Sequence, residues 1–165
     1  MKHLRLPLIQ TIILISYILI TGLLIAYKYS HFLYTQLDLA IFANALRQPW
    51  SNLLYSTLQG HHYFGDHFMP YLILLKPVFD LFKQSSVFLL SLQVIMIAAA
   101  AWPLQKLLDI AIEKKYHGIF FALFFLNPLA VNLAIYEFHP ELLYVPLILW
   151  AVYFLSLIHI SEPTR

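Results

Sequence analysis

Three short clusters hold most of the groups in this chain that could move a proton or hold an ion. The first is Asp38. A carboxylate there could serve as a general base or a metal ligand, given burial or a charged neighbour to tune it. The second is the run His61-His62-Tyr63-Phe64-Gly65-Asp66-His67. Its imidazole and carboxylate groups are ligand types for zinc or manganese, and the histidines could equally hold an anionic phosphate. The third is Glu137-Phe138-His139-Pro140-Glu141. Glu137 and His139 precede a helix start and are free to act there, whereas Glu141 would favour the positive end of that helix. Each cluster also has a plainer reading. Asp38 could be the solvated face of a helix, Asp66 the cap of the helix that follows, and Gly65 a tight-turn residue. Loop histidines also commonly lie beside lipid headgroups.

Groups this polar stand out because little else in the chain is. Of its 165 residues, 61% are hydrophobic and 11% charged, against about 25% charged in a soluble domain. Too little polar surface exists to cover a soluble globule, so lipid is the expected solvent. The net charge of +2, with no basic and aromatic cluster, gives no case for nucleic-acid binding. The absence of cysteine excludes disulfides and thiolate metal sites.

Charge-free runs at 6–27, 84–105, 116–136 and 142–161 each approach the ~20 residues of a spanning helix, and an isolated strand would leave its backbone unpaired in lipid. The expected fold is all-α: a polytopic transmembrane helical bundle of about four spans, near 7–27, 85–105, 117–136 and 141–155. The first run is longer than the usual ~7–15-residue apolar core of a signal peptide and is followed by no cleavage site; it reads as a retained anchor.

Lys2 and Arg5 before the first span, and Lys106, Lys114 and Lys115 between the second and third, place those loops in the cytoplasm. The long loop 28–83 and the short one near 136–141 then lie outside, so all three polar clusters share one face of an inner (plasma) membrane. Within the outer loop, Leu37, Ala40, Ile41, Ala45 and Leu46 recur at helical spacing and predict an amphipathic helix on the membrane surface. Gln48 to Asn52 reads as a turn, Gly60 to Gly65 as a polar loop, and Pro70 to Phe82 as a second interfacial or re-entrant helix, too short to span. Asn127-Pro128 and Asn132 are expected to kink the third span or bond a neighbour. Tyr17, Tyr27, Tyr29 and Trp50 fit interface belts. Residues 1–155 read as the N-terminal part of one membrane domain, inactive alone. Residues 156–165 resemble translated sequencing-adapter read-through, a foreign tail, which sets His159 and Glu162 aside.

Three ordered motifs carry a family resemblance. Asp38-Leu39-Ala40-Ile41-Phe42, followed by Tyr55-Ser56-Thr57-Leu58, resembles the opening loop of the predicted membrane proteins of domain-of-unknown-function family 2079. Gly65-Asp66-His67-Phe68-Met69-Pro70 and Phe138-His139-Pro140-Glu141 resemble two further elements of that family. Ala40, Ala43 and Asn44 stand where its pattern often has glycine, a second aspartate and glutamine. The family in turn resembles the membrane-embedded glycosyltransferases of the C superfamily, which use sugars carried on polyprenyl phosphate. The resemblance implies a bundle whose first outer loop folds into interfacial helices, with Asp38 as catalytic base or beside it. It implies Asp66, Glu137 and Glu141 as ligands of a divalent metal, magnesium or manganese. His67 and His139 would hold the donor phosphate, joined by His61 and His62 from the loop reading above. The expected activity is inverting sugar transfer at the outer face. A multi-pass transporter or ion-binding protein is the alternative, as is a non-catalytic membrane scaffold. Against the transporter stands the position of the charges at span ends rather than the bilayer midplane.

Overall fold

The computed structural model describes residues 5–35 and 37–161, with side chains as far as residue 158. Pro7 opens the first helix, α1 (Leu8–Ser30). At 23 residues and about 1.5 Å per residue, it matches the ~30 Å hydrocarbon core of a bilayer. Gln10, Leu14, Tyr17, Thr21 and Ile25 form its buried stripe, at the three- and four-residue steps of one helix face. The remaining faces present Ile12, Ile15, Leu19 and Leu23 outward, as lipid contact requires. Tyr17 belongs to the core, 1% exposed, so it is no part of an interface belt; Tyr27, Tyr29 and Trp50 are exposed.

The segment between the first two spans folds into two helices, a short hairpin and two 3₁₀ turns among its described residues. Helix α2 (Asp38–Arg47) is followed by the two-residue strands β1 (Tyr55–Ser56) and β2 (His61–His62). These pair antiparallel, Tyr55 opposite His62 and Ser56 opposite His61. Helix α3 (Leu72–Leu81) completes the segment. The turn glycine is Gly60, at φ +79°, rather than Gly65; only a residue without Cβ takes that conformation freely. Helix α2 forms where expected, but of the expected apolar stripe Ala45 and Leu46 turn into the protein while Leu37 and Ala40 stay exposed. Leu39, Phe42, Ala43, Ala45 and Leu46 are buried, and α2 packs on α3 and β1. With 10 residues, α3 is about half a span long, as its sequence indicates. Its N-cap is Tyr71, and Asp66 instead closes the short 3₁₀ turn Tyr63–Gly65. Asp66 therefore does not cap the following helix, because His67 to Tyr71 separate it from Leu72.

The second span is α4 (Ser86–Ala98) continued by α5 (Ala101–Ala111), an apolar run of 26 residues. Pro103 explains the seam at Ala99-Ala100, since its ring clashes with the carbonyl four residues back and its nitrogen has no hydrogen to donate. The third is a bent pair, α6 (His117–Phe125) and α7 (Pro128–Ile135), with 44° between their axes. Asn127 makes the bend: its side chain accepts from Ala130 N–H at 2.9 Å and donates to the Phe124 carbonyl at 2.7 Å, ending one helix and starting the next. Asn132 is exposed. A 3₁₀ turn, Pro140–Leu143, leads into α8 (Tyr144–Ser161). The expected foreign tail falls partly outside the described residues, as do the side chains of His159 and Glu162.

The chain thus has three helices long and apolar enough to cross a membrane, and four counting the bent pair as one span. The α1–α4 and α1–α6 contacts make its core, with α5 against α8. The end of α1, the start of α4, the end of α7 and the start of α8 meet at one end of the bundle. The start of α1, the end of α5 and the start of α6 meet at the other.

Candidate functional site

The site rests on the carbonyl end of α7. Helix C-termini leave their last carbonyls without intrahelical partners. Here two span residues supply donors. Gln93, fully buried on α4, shares its amide between the carbonyls of Leu133 at 2.8 Å, Ala134 at 3.2 Å and Tyr136 at 3.3 Å. Lys28, in the last turn of α1, donates to the Ile135 carbonyl at 2.7 Å. Its charge favours the negative helix end, and its Nζ lies 4.6 Å from the centre of the Tyr34 ring. Gln93 also accepts the His139 backbone N–H through Oε1, at 2.7 Å. One side chain in a span therefore fixes where His139 leaves α7.

Glu137 does not stand free ahead of the helix. It is 2% exposed, and its Oε2 accepts the Leu39 backbone N–H at 2.8 Å. That N–H is one of the unpartnered donors of the first turn of α2, where a carboxylate is favoured by the helix dipole. Glu137 thereby anchors the turn that carries Asp38. Its charge, after burial, helps push the Tyr34 hydroxyl up to about 12. Phe138 beside it is fully buried and meets Phe42 of α2 edge-on at 5.3 Å between ring centres.

With both backbones held, two side chains face each other. His139 Nδ1 lies 2.8 Å from the Glu137 carbonyl oxygen. A carbonyl can only accept, so Nδ1 carries the proton. Nε2 is left pointing at Asp38 Oδ2, 3.5 Å away. When protonated there as well, His139 makes an ion pair with Asp38 across this gap. Both side chains are about two-fifths exposed and open to a substrate.

Tyr63, 3% exposed, collects the neighbouring charges. Burial first, then the carboxylates of Glu141, Asp38 and Asp66, hold its hydroxyl well above the ordinary tyrosine range. Tyr71 is raised similarly, by burial, Tyr144 and Glu141. One carboxylate oxygen of Glu141, Oε2, is buried and has no hydrogen-bond partner. On the hairpin, His61 repeats the arrangement of His139. Its Nδ1 donates to the His62 carbonyl at 3.2 Å, and its Nε2 faces Asp66 Oδ2 at 3.6 Å. Asp66 also accepts from Gln59 at 2.9 Å. His62 is turned to the backbone, its Nδ1 accepting the Phe64 N–H at 3.2 Å. His67 lies beside Tyr63, with ring centres 5.7 Å apart.

The structure therefore pairs Asp38 with His139 next to the buried Glu137, gathers the carboxylates of Glu141, Asp38 and Asp66 near Tyr63, and pairs His61 with Asp66 on the hairpin. Among the described residues no three histidine, aspartate or glutamate side chains converge as metal ligands. Glu137 is engaged by a backbone N–H and Asp66 by Gln59. Sequence reasoning missed Gln93, Tyr63 and the Lys28–Tyr34 contact. Gln93 carried a usable signal, since a polar side chain deep in an apolar run needs a partner.

The model of a family of predicted membrane proteins, DUF2079, matches residues 28–159. The match takes in every residue of the site. No curated protein and no solved structure is significantly similar to the chain. Its motifs and that match make the chain a member of the DUF2079 family of predicted membrane proteins.

Proposed function

We propose that the Asp38–His139 end of the bundle is a glycosyl-transfer site, taking its sugar from a polyprenyl-phosphate donor at the outer face of the plasma membrane, with the N-terminus cytoplasmic. The observation that carries this reading is the Asp38–His139 pair, 3.5 Å apart and set at a span end by Glu137 and Gln93. A lipid-linked donor keeps its phosphate and sugar near such a level while its chain stays in the bilayer.

Asp38 offers its carboxylate to the acceptor, and His139, when protonated, supplies a cation beside it. An acceptor hydroxyl entering beside Asp38 gives it a proton as the oxygen attacks the anomeric carbon. The bond from that carbon to the phosphate oxygen breaks on the opposite face, so the configuration inverts. Polyprenyl phosphate leaves with the electron pair, its charge offset by the imidazolium of His139 and by His67. His61 and His62 would join them from the hairpin that packs on α2. Glu141, with an unpartnered oxygen, offers an acceptor for a sugar hydroxyl. Among the described residues Asp66, Glu137 and Glu141 do not converge as a ligand set for magnesium or manganese; the steps above are those that the chain's own groups supply.

The test is transfer from a radiolabelled polyprenyl-phosphate sugar by the full-length protein in proteoliposomes. Asp38→Asn keeps the size of the side chain and removes its basicity. Transfer is expected to fall by about 10²–10⁴-fold, with elution and helicity unchanged. Undiminished transfer by Asp38→Asn would end the assignment of Asp38 as base, and absence of transfer by the unaltered protein from every such donor would end the glycosyltransferase reading.

A further inference from the structure

The opposite end of the bundle holds an open cavity of about 1010 Å³ that the reading above does not use. Four cationic side chains line it, from three parts of the chain: Arg5 ahead of α1, Lys106 on α5, and Lys114 and Lys115 in the turn before α6. Asp109 is the one carboxylate in the lining, and it already accepts from Gln105 at 3.0 Å. Lys115 is drawn to Glu113 at 2.8 Å. Arg5, Lys106 and Lys114 make no ion pair among the described residues. Two amide side chains more than nine-tenths buried, Gln10 and Gln105, also line the cavity. Gln105 Oε1 is buried without a hydrogen-bond partner.

Cations gathered around a hollow with buried polar groups suit a phosphate. The rim says which kind. Leu8, Ile9 and Ile119 line the same cavity and are 74%, 62% and 58% exposed. A free phosphate has no use for them, whereas a phospholipid would lay its acyl chains along them. We infer that this cavity is a binding site for the headgroup of an anionic phospholipid, seated between α1, α5 and α6 at the membrane surface away from Asp38. Basic pockets between membrane helices take such headgroups, at about fivefold in affinity per lysine or arginine near the surface.

Trp102 also lines the cavity and makes a native reporter once every other tryptophan of the protein, Trp50 and Trp150 included, is changed to phenylalanine. The full-length protein is reconstituted with phosphatidylglycerol or phosphatidylcholine brominated on the acyl chains, and Trp102 quenching is followed against mole fraction. Phosphatidylglycerol is expected to quench at lower mole fraction. Lys106→Gln or Lys114→Gln should each raise the required mole fraction by about fivefold, and Lys83→Gln, at the other end of the bundle, should leave it unchanged. Equal quenching by the two lipids, which depends on no lysine variant, overturns the proposal. So does full competition by millimolar inorganic phosphate, which would make the cavity a site for a free anion.

Discussion

Tyr63 is the residue whose titration reads out the charge around it. Its folded-state hydroxyl is held above the ordinary value near 10 by burial and by Glu141, Asp38 and Asp66. A raised value means that the folded state keeps a proton that the unfolded state releases. The stability from Tyr63 is therefore intact below about pH 10 and is lost as pH climbs from there toward the folded value. Thermal unfolding in detergent should show little pH dependence from Tyr63 across the neutral range and a fall in stability above about pH 10. Tyr63→Phe should make that fall shallower, and an unchanged alkaline limb would mean that Tyr63 is not the titrating group. At this scale the sequence was informative about residue types and silent about pairing. Acids and histidines are conspicuous in so apolar a chain. Which histidine meets which aspartate depends on chain returns that no local spacing encodes, so His139 with Asp38 and His61 with Asp66 had to come from the structure. Glu137 was misread for the same reason: the N–H it accepts belongs to Leu39, on a distant element.

Among the elements, the α6–α7 bend isolates the work of a single side chain. Asn127 accepts from Ala130 N–H to start α7 and donates to Leu123 and Phe124 carbonyls to finish α6. Asn127→Ala removes both functions and should destabilise the protein by about 1–2 kcal/mol. Asn127→Asp keeps an N-cap acceptor and loses the two donated bonds, so it should fall between. Denaturant titration in mixed micelles orders the three proteins; an alanine variant as stable as the parent would show that Pro128 alone sets the bend. This boundary was legible, because Asn-Pro marks both an end and a start. The three to four candidate spans were legible too, from charge-free runs of the right length. The seam between α4 and α5 passed unnoticed although Pro103 marks it, because hydropathy is continuous across it. The hairpin of β1 and β2 was invisible for a different reason. Two residues per strand carry no alternation to detect, and its register follows from Gly60 and from packing on α2.

For the molecule as a whole, the arrangement makes a simple demand: its two polar ends must lie on opposite sides of a membrane. The cysteine-free sequence suits single-cysteine labelling. With an impermeant maleimide on intact cells, His62→Cys should label directly and Glu113→Cys only after permeabilisation. The reverse pattern would invert the proposed orientation while keeping the span count. Labelling of both from one side would break the four-span reading. Such a bundle still exposes much apolar surface along α1 and α8, which is the expected state of a lipid-facing helix and a severe liability in water.

Gln93 has a mechanical consequence. Its amide meets three carbonyls at the end of α7, and its carbonyl oxygen holds the N–H of His139. Sliding α4 by one helical turn, about 5.4 Å, would break all of these bonds together, in surroundings where no water replaces them. The amide acts as a dowel between two spans. Sliding of α4 against α7 is thereby resisted, and the backbone of His139 is tied to the second span as well as to the third.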